Sequence, residues 1–187
     1  MRRLFFIKRA LFILSITIIS ITILPGCKKI AETVFSGFDL PLNGIPAIIP
    51  PFPISYYPYS ITNTYTFNLD SIVKAESNGV FEGKDLRSVK VTQATLHLQN
   101  ADVVTKLGAL YTVSIQLYSD SIRSSVTLAR ANVPDTATNT LNFDVSNSPE
   151  ILPYLQGKTI SYVISMLSRQ RTLDSLFLFT DLTLRIE

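Results

Sequence analysis

From residue 62 to the end of the chain, apolar side chains fall on every second position in short runs separated by turn-forming residues. Tyr65, Phe67 and Leu69 alternate with Thr64, Thr66 and Asn68, and Tyr111, Val113, Ile115 and Leu117 with Thr112, Ser114 and Gln116. Leu141, Phe143 and Val145 repeat the pattern, as do Ile160, Tyr162, Ile164 and Met166. Val126 and Leu128 carry a shorter version, and the last run sets Leu176, Leu178, Leu182, Leu184 and Ile186 on one side. A period of two places alternate side chains on opposite faces of a strand. No window of similar length carries a convincing helical period. A sheet with one wet face must bury the other against something, so the body is expected to be all-β, an antiparallel β-sandwich.

The spacing predicts seven strands, over 62–69, 87–99, 109–119, 125–131, 139–145, 159–167 and 175–186. Between Val89 and Leu98 the apolar positions shift from odd to even near Thr92, which a one-residue β-bulge would reconcile. Ser148-Pro149-Glu150-Ile151 offers an N-cap, a first-turn proline and a first-turn acid, and Pro153 limits the resulting helix to about one turn.

Residues 28–61 hold six of the ten prolines: Pro41, Pro46, Pro50, Pro51, Pro53 and Pro58. Proline fixes φ and removes a donor, so an extended connector is expected, with neither a helix nor a central strand. All 34 residues extended at about 3.1 Å each would reach roughly 100 Å. Yet Ile45, Ala47, Ile48, Ile49, Phe52 and Ile54 are too apolar for a solvated spacer. Either residues 45–59 pack along the body as an edge cover or unpaired strand, or they form an adhesive segment for a partner or the membrane interface. In the second case Tyr56, Tyr57 and Tyr59 are the binding candidates, since tyrosine suits a surface that is apolar at one end and wet at the other.

The N-terminus carries Arg2, Arg3, Lys8 and Arg9, then an apolar and hydroxyl-bearing stretch from Ala10 to Leu24, then Pro25-Gly26-Cys27. That order is the mark of a secretory signal. A bilayer span needs about 20 apolar residues, and extending this stretch backward meets Lys8 and Arg9. Leu24-Pro25-Gly26-Cys27 resembles the lipobox of bacterial lipoproteins, with Pro25 where a small or aliphatic residue is usual. The resemblance implies that Cys27 is acylated and begins the mature protein. The layout it suggests is a signal peptide over 1–26, an acylated tether over 27–61 and a sandwich over 62–187. Lys28 does not resemble an inner-membrane retention signal, and no acidic run follows Cys27. The resemblance therefore implies the outer membrane, on its periplasmic face, with the cell surface as the alternative. The Asn100-Ala101-Asp102 turn, a later Pro-Asp segment and the Phe/Leu-rich final strand make the body similar to small uncharacterised β-sandwich lipoproteins of Bacteroidetes-type envelopes.

Charge and chemistry narrow the function. The net charge of +3 comes from the signal segment; beyond residue 26, 13 cations face 14 anions. Such a body has no excess from which to build a nucleic-acid surface. One cysteine excludes an internal disulfide framework and a cysteine-cluster metal site. His97 is the sole imidazole and should point outward, between the inward Leu96 and Leu98. No Gly-x-Ser-x-Gly turn and no glycine-rich phosphate loop exist. No catalytic residue, metal or cofactor is therefore expected. Carboxylates are numerous, and Asp181 is the least ordinary because it interrupts the last strand on its odd face. Arg169 and Arg171 fall in an expected solvated turn, with contact to an anion or phospholipid as the alternative. Phe177 and Phe179 lie opposite the core side of the last strand, a candidate contact surface for a glycan or an envelope protein. The leading expectation is a lipid-anchored, non-catalytic binding or assembly module. The alternatives are a carboxylate-dependent glycan hydrolase and a carrier of an apolar ligand.

Overall fold

The alternation becomes two four-stranded antiparallel sheets facing each other. A computed structural model describes residues 37–187 apart from Tyr56 and Lys158. The expected signal segment, Cys27 and residues 28–36 of the expected tether lie outside the described residues. The strands are β1 (Phe38–Ile49), β2 (Tyr59–Thr66), β3 (Val89–Leu98), β4 (Leu110–Ser119), β5 (Ser125–Asn132), β6 (Thr140–Asn142), β7 (Thr159–Ser168) and β8 (Leu176–Ile186). One sheet has the order β1-β8-β3-β6 and the other β2-β7-β4-β5. Pairing is nested: β1 with β8, β2 with β7, β3 with β6, β4 with β5. Eight strands paired first-to-last across two sheets make a jelly roll. The all-β sandwich read from the sequence is the fold.

The strand count needs one correction. The proline-rich stretch is no free connector: it supplies β1, and β2 starts at Tyr59 rather than at residue 62. Both are edge strands. An edge strand has one side without ladder partners, so Pro41 and Pro46 remove no hydrogen bond the sheet requires. Ala47 and Ile49 turn inward and are 2% and 0% exposed, and Phe52 follows them into the core. Gly37–Glu187 forms one compact unit, so the folded body begins well before residue 62.

The first expected strand also stops short. After Thr66 the chain enters α1 (Leu69–Glu76). Asn68 caps it by accepting the Ser71 amide at 2.9 Å, Asp70 lies in its first turn and Lys74 in its last. Leu69, read as a strand position, instead packs inward with Val73 on one helical face. The bulge near Thr92 is present, with the β3–β8 register shifting between Val91 and Gln93. The short helix expected from Ser148 begins later, as α2 (Leu152–Leu155), with Pro153 inside its first turn instead of ending it. Glu150 turns its carboxylate to the Leu152 and Val89 amides and the Ser88 hydroxyl, which fixes the chain ahead of that helix.

Burial along β7 and β8 alternates without exception. Leu176, Leu178, Leu182, Leu184 and Ile186 are each 3% exposed or less. The core is less evenly closed along β1. Ala47 and Ile49, towards the β1–β2 connection, are buried, whereas Phe38, Leu40, Leu42 and Ile45, on the same inward side, are only half-buried.

Candidate functional site

The outer face of the β1-β8-β3-β6 sheet gathers several residues singled out in the sequence. Register places Ile48 opposite Phe177, and Phe179 between Pro46 on β1 and His97 on β3. Ile48 is 60% and Phe177 39% exposed, and Phe179 is half-buried between its neighbours. These four apolar side chains form one strip on the sheet surface. Phe177 and Phe179 thus point away from the core, as the alternation implies.

Beside the strip, His97 Nε2 lies 3.3 Å from Asp181 Oδ2, with both side chains about 40% exposed. Asp181 Oδ1 accepts the Gly44 amide at 2.7 Å. The Thr140 hydroxyl stands 3.5 Å from His97 Nδ1, so Thr140, His97 and Asp181 form a polar row that borders the strip. Asp181 owes its place in the strand to the β1 backbone.

A second feature, invisible in the sequence, lies between the sheets. A cavity of about 390 Å³ opens where β1 and β2 part company, between Leu42 and Ile45 on one edge and Tyr65 on the other. Leu117 and Leu128 line it from one sheet, and Leu182 and Leu184 from the other. No charged side chain lines it. Tyr162, 3% exposed, also borders this space. Its hydroxyl is buried against that of Thr180 on β8, and neither reaches any other polar group. Burial pushes the Tyr162 pKa up, and the nearby Thr180 hydroxyl works weakly the other way.

A neighbouring cleft of about 520 Å³ runs past Asn68, Asp70, Lys84 and Gln156. Asp70 and Glu82 share Lys74, at 2.9 and 3.3 Å, and Glu82 also meets Lys84 at 2.5 Å. Lys74 and the Gly83 amide hold the Asp70 carboxyl below its ordinary range, and Lys84 and Lys74 do the same for Glu82. Glycoside hydrolysis by two acids needs one of them kept protonated. These two are driven the other way. Among the described residues no group of three or more His, Cys, Asp or Glu side chains could hold a metal, and no helix is long and apolar enough to cross a membrane.

The tyrosine candidates separate. Tyr57 is 81% exposed in the β1–β2 connection. Tyr59 lies in β2 with its ring stacked on Phe52, centroids 5.3 Å apart, so it serves packing. Tyr56, like the lipidation candidate Cys27, lies outside the described residues. Arg169 corrects the solvated-turn expectation. Its guanidinium donates to the Gly108 and Val133 carbonyls at 3.0 and 2.9 Å and sits 5.7 Å from the Tyr111 ring centroid. It pins three loops at the end of the sandwich opposite the cavity.

No protein-family model matches the chain, and no curated protein matches its sequence. Among solved structures, the chain is similar to one from infectious bursal disease virus Gx strain, at 10% identity and a TM-score of 0.44, over 80% of this chain and 32% of the other. The chain thus spans about a third of that protein's length. A decameric BFDV capsid protein matches at 10% identity and a TM-score of 0.35, covering 80% of this chain and 97% of the other. A family 32 carbohydrate-binding module from C. perfringens NanJ, in complex with galactose, matches at 9% identity and a TM-score of 0.27, over 73% of this chain and 99% of the other. Likenesses this distant carry no argument about activity, and the strand order alone defines the jelly roll.

Proposed function

We propose that the chain is a lipid-anchored cell-envelope protein, acylated at Cys27, whose jelly roll is a non-catalytic module that docks on an envelope protein. The observation that supports docking is the apolar strip of Pro46, Ile48, Phe177 and Phe179 on the outside of a sheet whose core lies on its other side. Aromatic and aliphatic groups ringed by polar ones (here His97, Asp181 and Thr140) have the make-up of a protein-contact surface. Sugar rings stack on π faces, and half of the strip, Pro46 and Ile48, offers none, which favours a protein over a glycan. Anchoring rests on the signal order and on Leu24-Pro25-Gly26-Cys27. Two or more hydrocarbon chains hold a protein stably where one binds marginally. With β1 starting at Phe38, ten residues separate the anchor from the first strand, and extended they span at most about 35 Å. Lys28 in place of an acid favours the outer membrane, periplasmic face.

Two measurements test this reading. The N-terminal peptide of the mature protein should begin at Cys27 and carry acyl mass, and Cys27→Ser should release the protein from membranes. Binding of the protein to isolated envelopes should be lost after proteolysis of those envelopes and in Ile48→Ser/Phe177→Ser, and kept after glycan digestion. The opposite pattern would assign the strip to a glycan. Unacylated native protein would remove the anchor.

A further inference from the structure

We infer that the free edge of β2 docks a second copy of this chain, the two β2 strands pairing antiparallel across a two-fold axis so that their sheets join. This goes beyond docking at the outer face of the other sheet and does not rest on it.

Each sheet ends in two edge strands, and an edge offers a row of unpaired amides and carbonyls to any strand that can approach. Three of the four edges carry obstacles to such pairing. β1 contains Pro41 and Pro46, the bulge at Asn43 and Gly44, and the charge of Asp39. β5 is also bulged, because Thr127 faces Gln116 and Ala129 faces Ile115 with Leu128 left over, and it carries Arg130. β6 is three residues long. β2 has none of these devices. It pairs with β7 from Tyr59 to Thr66 without a register shift, and its sequence holds no charge, proline or glycine. Among the described residues it is also the one strand with no buried member, although Tyr59, Ile61 and Tyr65 take its inward positions.

The chemistry of the edge selects a copy of itself. Side chains keep their faces across an antiparallel pair only when residues of equal parity meet, so the two-fold axis falls at Thr62 or Asn63, the middle of the strand. Outward Ser60, Thr62 and Thr64 then meet only hydroxyl-bearing residues of the other copy, and no like charges are brought together. The same pairing already operates inside the sheet, where the Ser60 and Ser165 hydroxyls lie 2.7 Å apart and those of Thr64 and Ser161 3.1 Å. A second β2 repeats on the free side what β7 supplies on the paired side. A strand rich in charge would find no counter-ion on β2. Two-fold pairing uses the same surface on both copies, so the assembly closes at a dimer.

The test uses the full chain purified in detergent, with its oligomeric state read by sedimentation velocity. A dimer is expected. Thr62→Lys/Thr64→Lys and Thr62→Glu/Thr64→Glu each set like charges across the axis and should be monomeric. An equimolar mixture of the two variants should restore the dimer, which mixing could not do for chains that had failed to fold. Thr127→Lys, on the exposed face of the β5 edge, should remain dimeric. A monomeric parent, a dimer that survives in both charged pairs, a mixture that stays monomeric, or loss of the dimer in Thr127→Lys would each overturn the β2 interface. The docking reading is scored separately, because Ile48→Ser/Phe177→Ser lies on the other sheet and leaves this edge intact.

Discussion

Asp181 on β8 accepts the Gly44 amide of β1 at 2.7 Å, from a residue 137 positions away. Leu42 pairs with Leu182 and Ile45 with Thr180, so Asn43 and Gly44 together face Asp181. That is a bulge of two residues against one. It moves the inward positions of β1 from Leu42 to Ile45, Ala47 and Ile49, keeping apolar side chains on the core face. Gly44 adopts φ +69°, which costs little only without a side chain.

Gly44→Ala is therefore expected to cost about 1 kcal/mol through backbone strain alone, since open space surrounds the site of the added methyl. Asp181→Ala should cost a similar amount, about 1 kcal/mol. Because both act on one bulge, the double variant should lose less than their sum. Urea midpoints of the three variants check this, and full additivity would argue against the coupling.

Phe177 and Leu178 are neighbours on β8 with opposite fates. Leu178→Ala opens a cavity in a 1%-exposed core position and should cost about 2–5 kcal/mol. Phe177→Ala, on the outer strip, should cost less than about 1 kcal/mol. Equal losses would mean that the outer face is covered.

Glu150 gives an acid-sensitive contribution. Partial burial raises its pKa, but hydrogen bonds from Ser88, Val89 and Leu152 and the charge of Lys90 outweigh that and leave it below the ordinary 4.5. A depressed carboxylate stabilises the fold above its unfolded pKa and stops doing so as pH falls through the folded value. Glu150→Gln should thus be less stable at pH 7 by about 1 kcal/mol, discounted for solvent screening. The difference from the parent should shrink below about pH 4.5. Thermal or urea unfolding at pH 7 and pH 3 measures it; a gap unchanged between the two would exclude this ionisation as the source.

Arg169→Met should loosen the loops around Gly108 and Val133, costing about 2 kcal/mol, because two carbonyls lose charged donors. Arg169→Lys should recover only part, since an ammonium lacks the planar fork that spans both oxygens. Hydrogen exchange at the Gly108 and Val133 segments provides the readout. Full recovery by lysine would reduce the interaction to charge alone.

The sequence was most legible where the signal is local. Strands β3, β4, β5, β7 and β8 fall within one or two residues of the expected spans, and the Thr92 bulge shows in the parity of its neighbours. The outward aim of Phe177, Phe179 and His97 follows from the same alternation. Leu69 misled because its spacing from Tyr65 and Phe67 fits a strand, while the Asn68 cap that starts a helix there is a weaker signal.

What the sequence determined by itself was the class of fold and the face of each strand, because a two-residue period is a property of neighbouring side chains. Tertiary structure alone decided that the proline stretch would be a strand, that Asp181 would serve a bulge in β1, and that a cavity would remain beside Tyr162. Each depends on partners far along the chain. Pro41 and Pro46 are tolerated only because β1 ends up at an edge beside β8, and the gap exists only because β2 stops before β1 is covered.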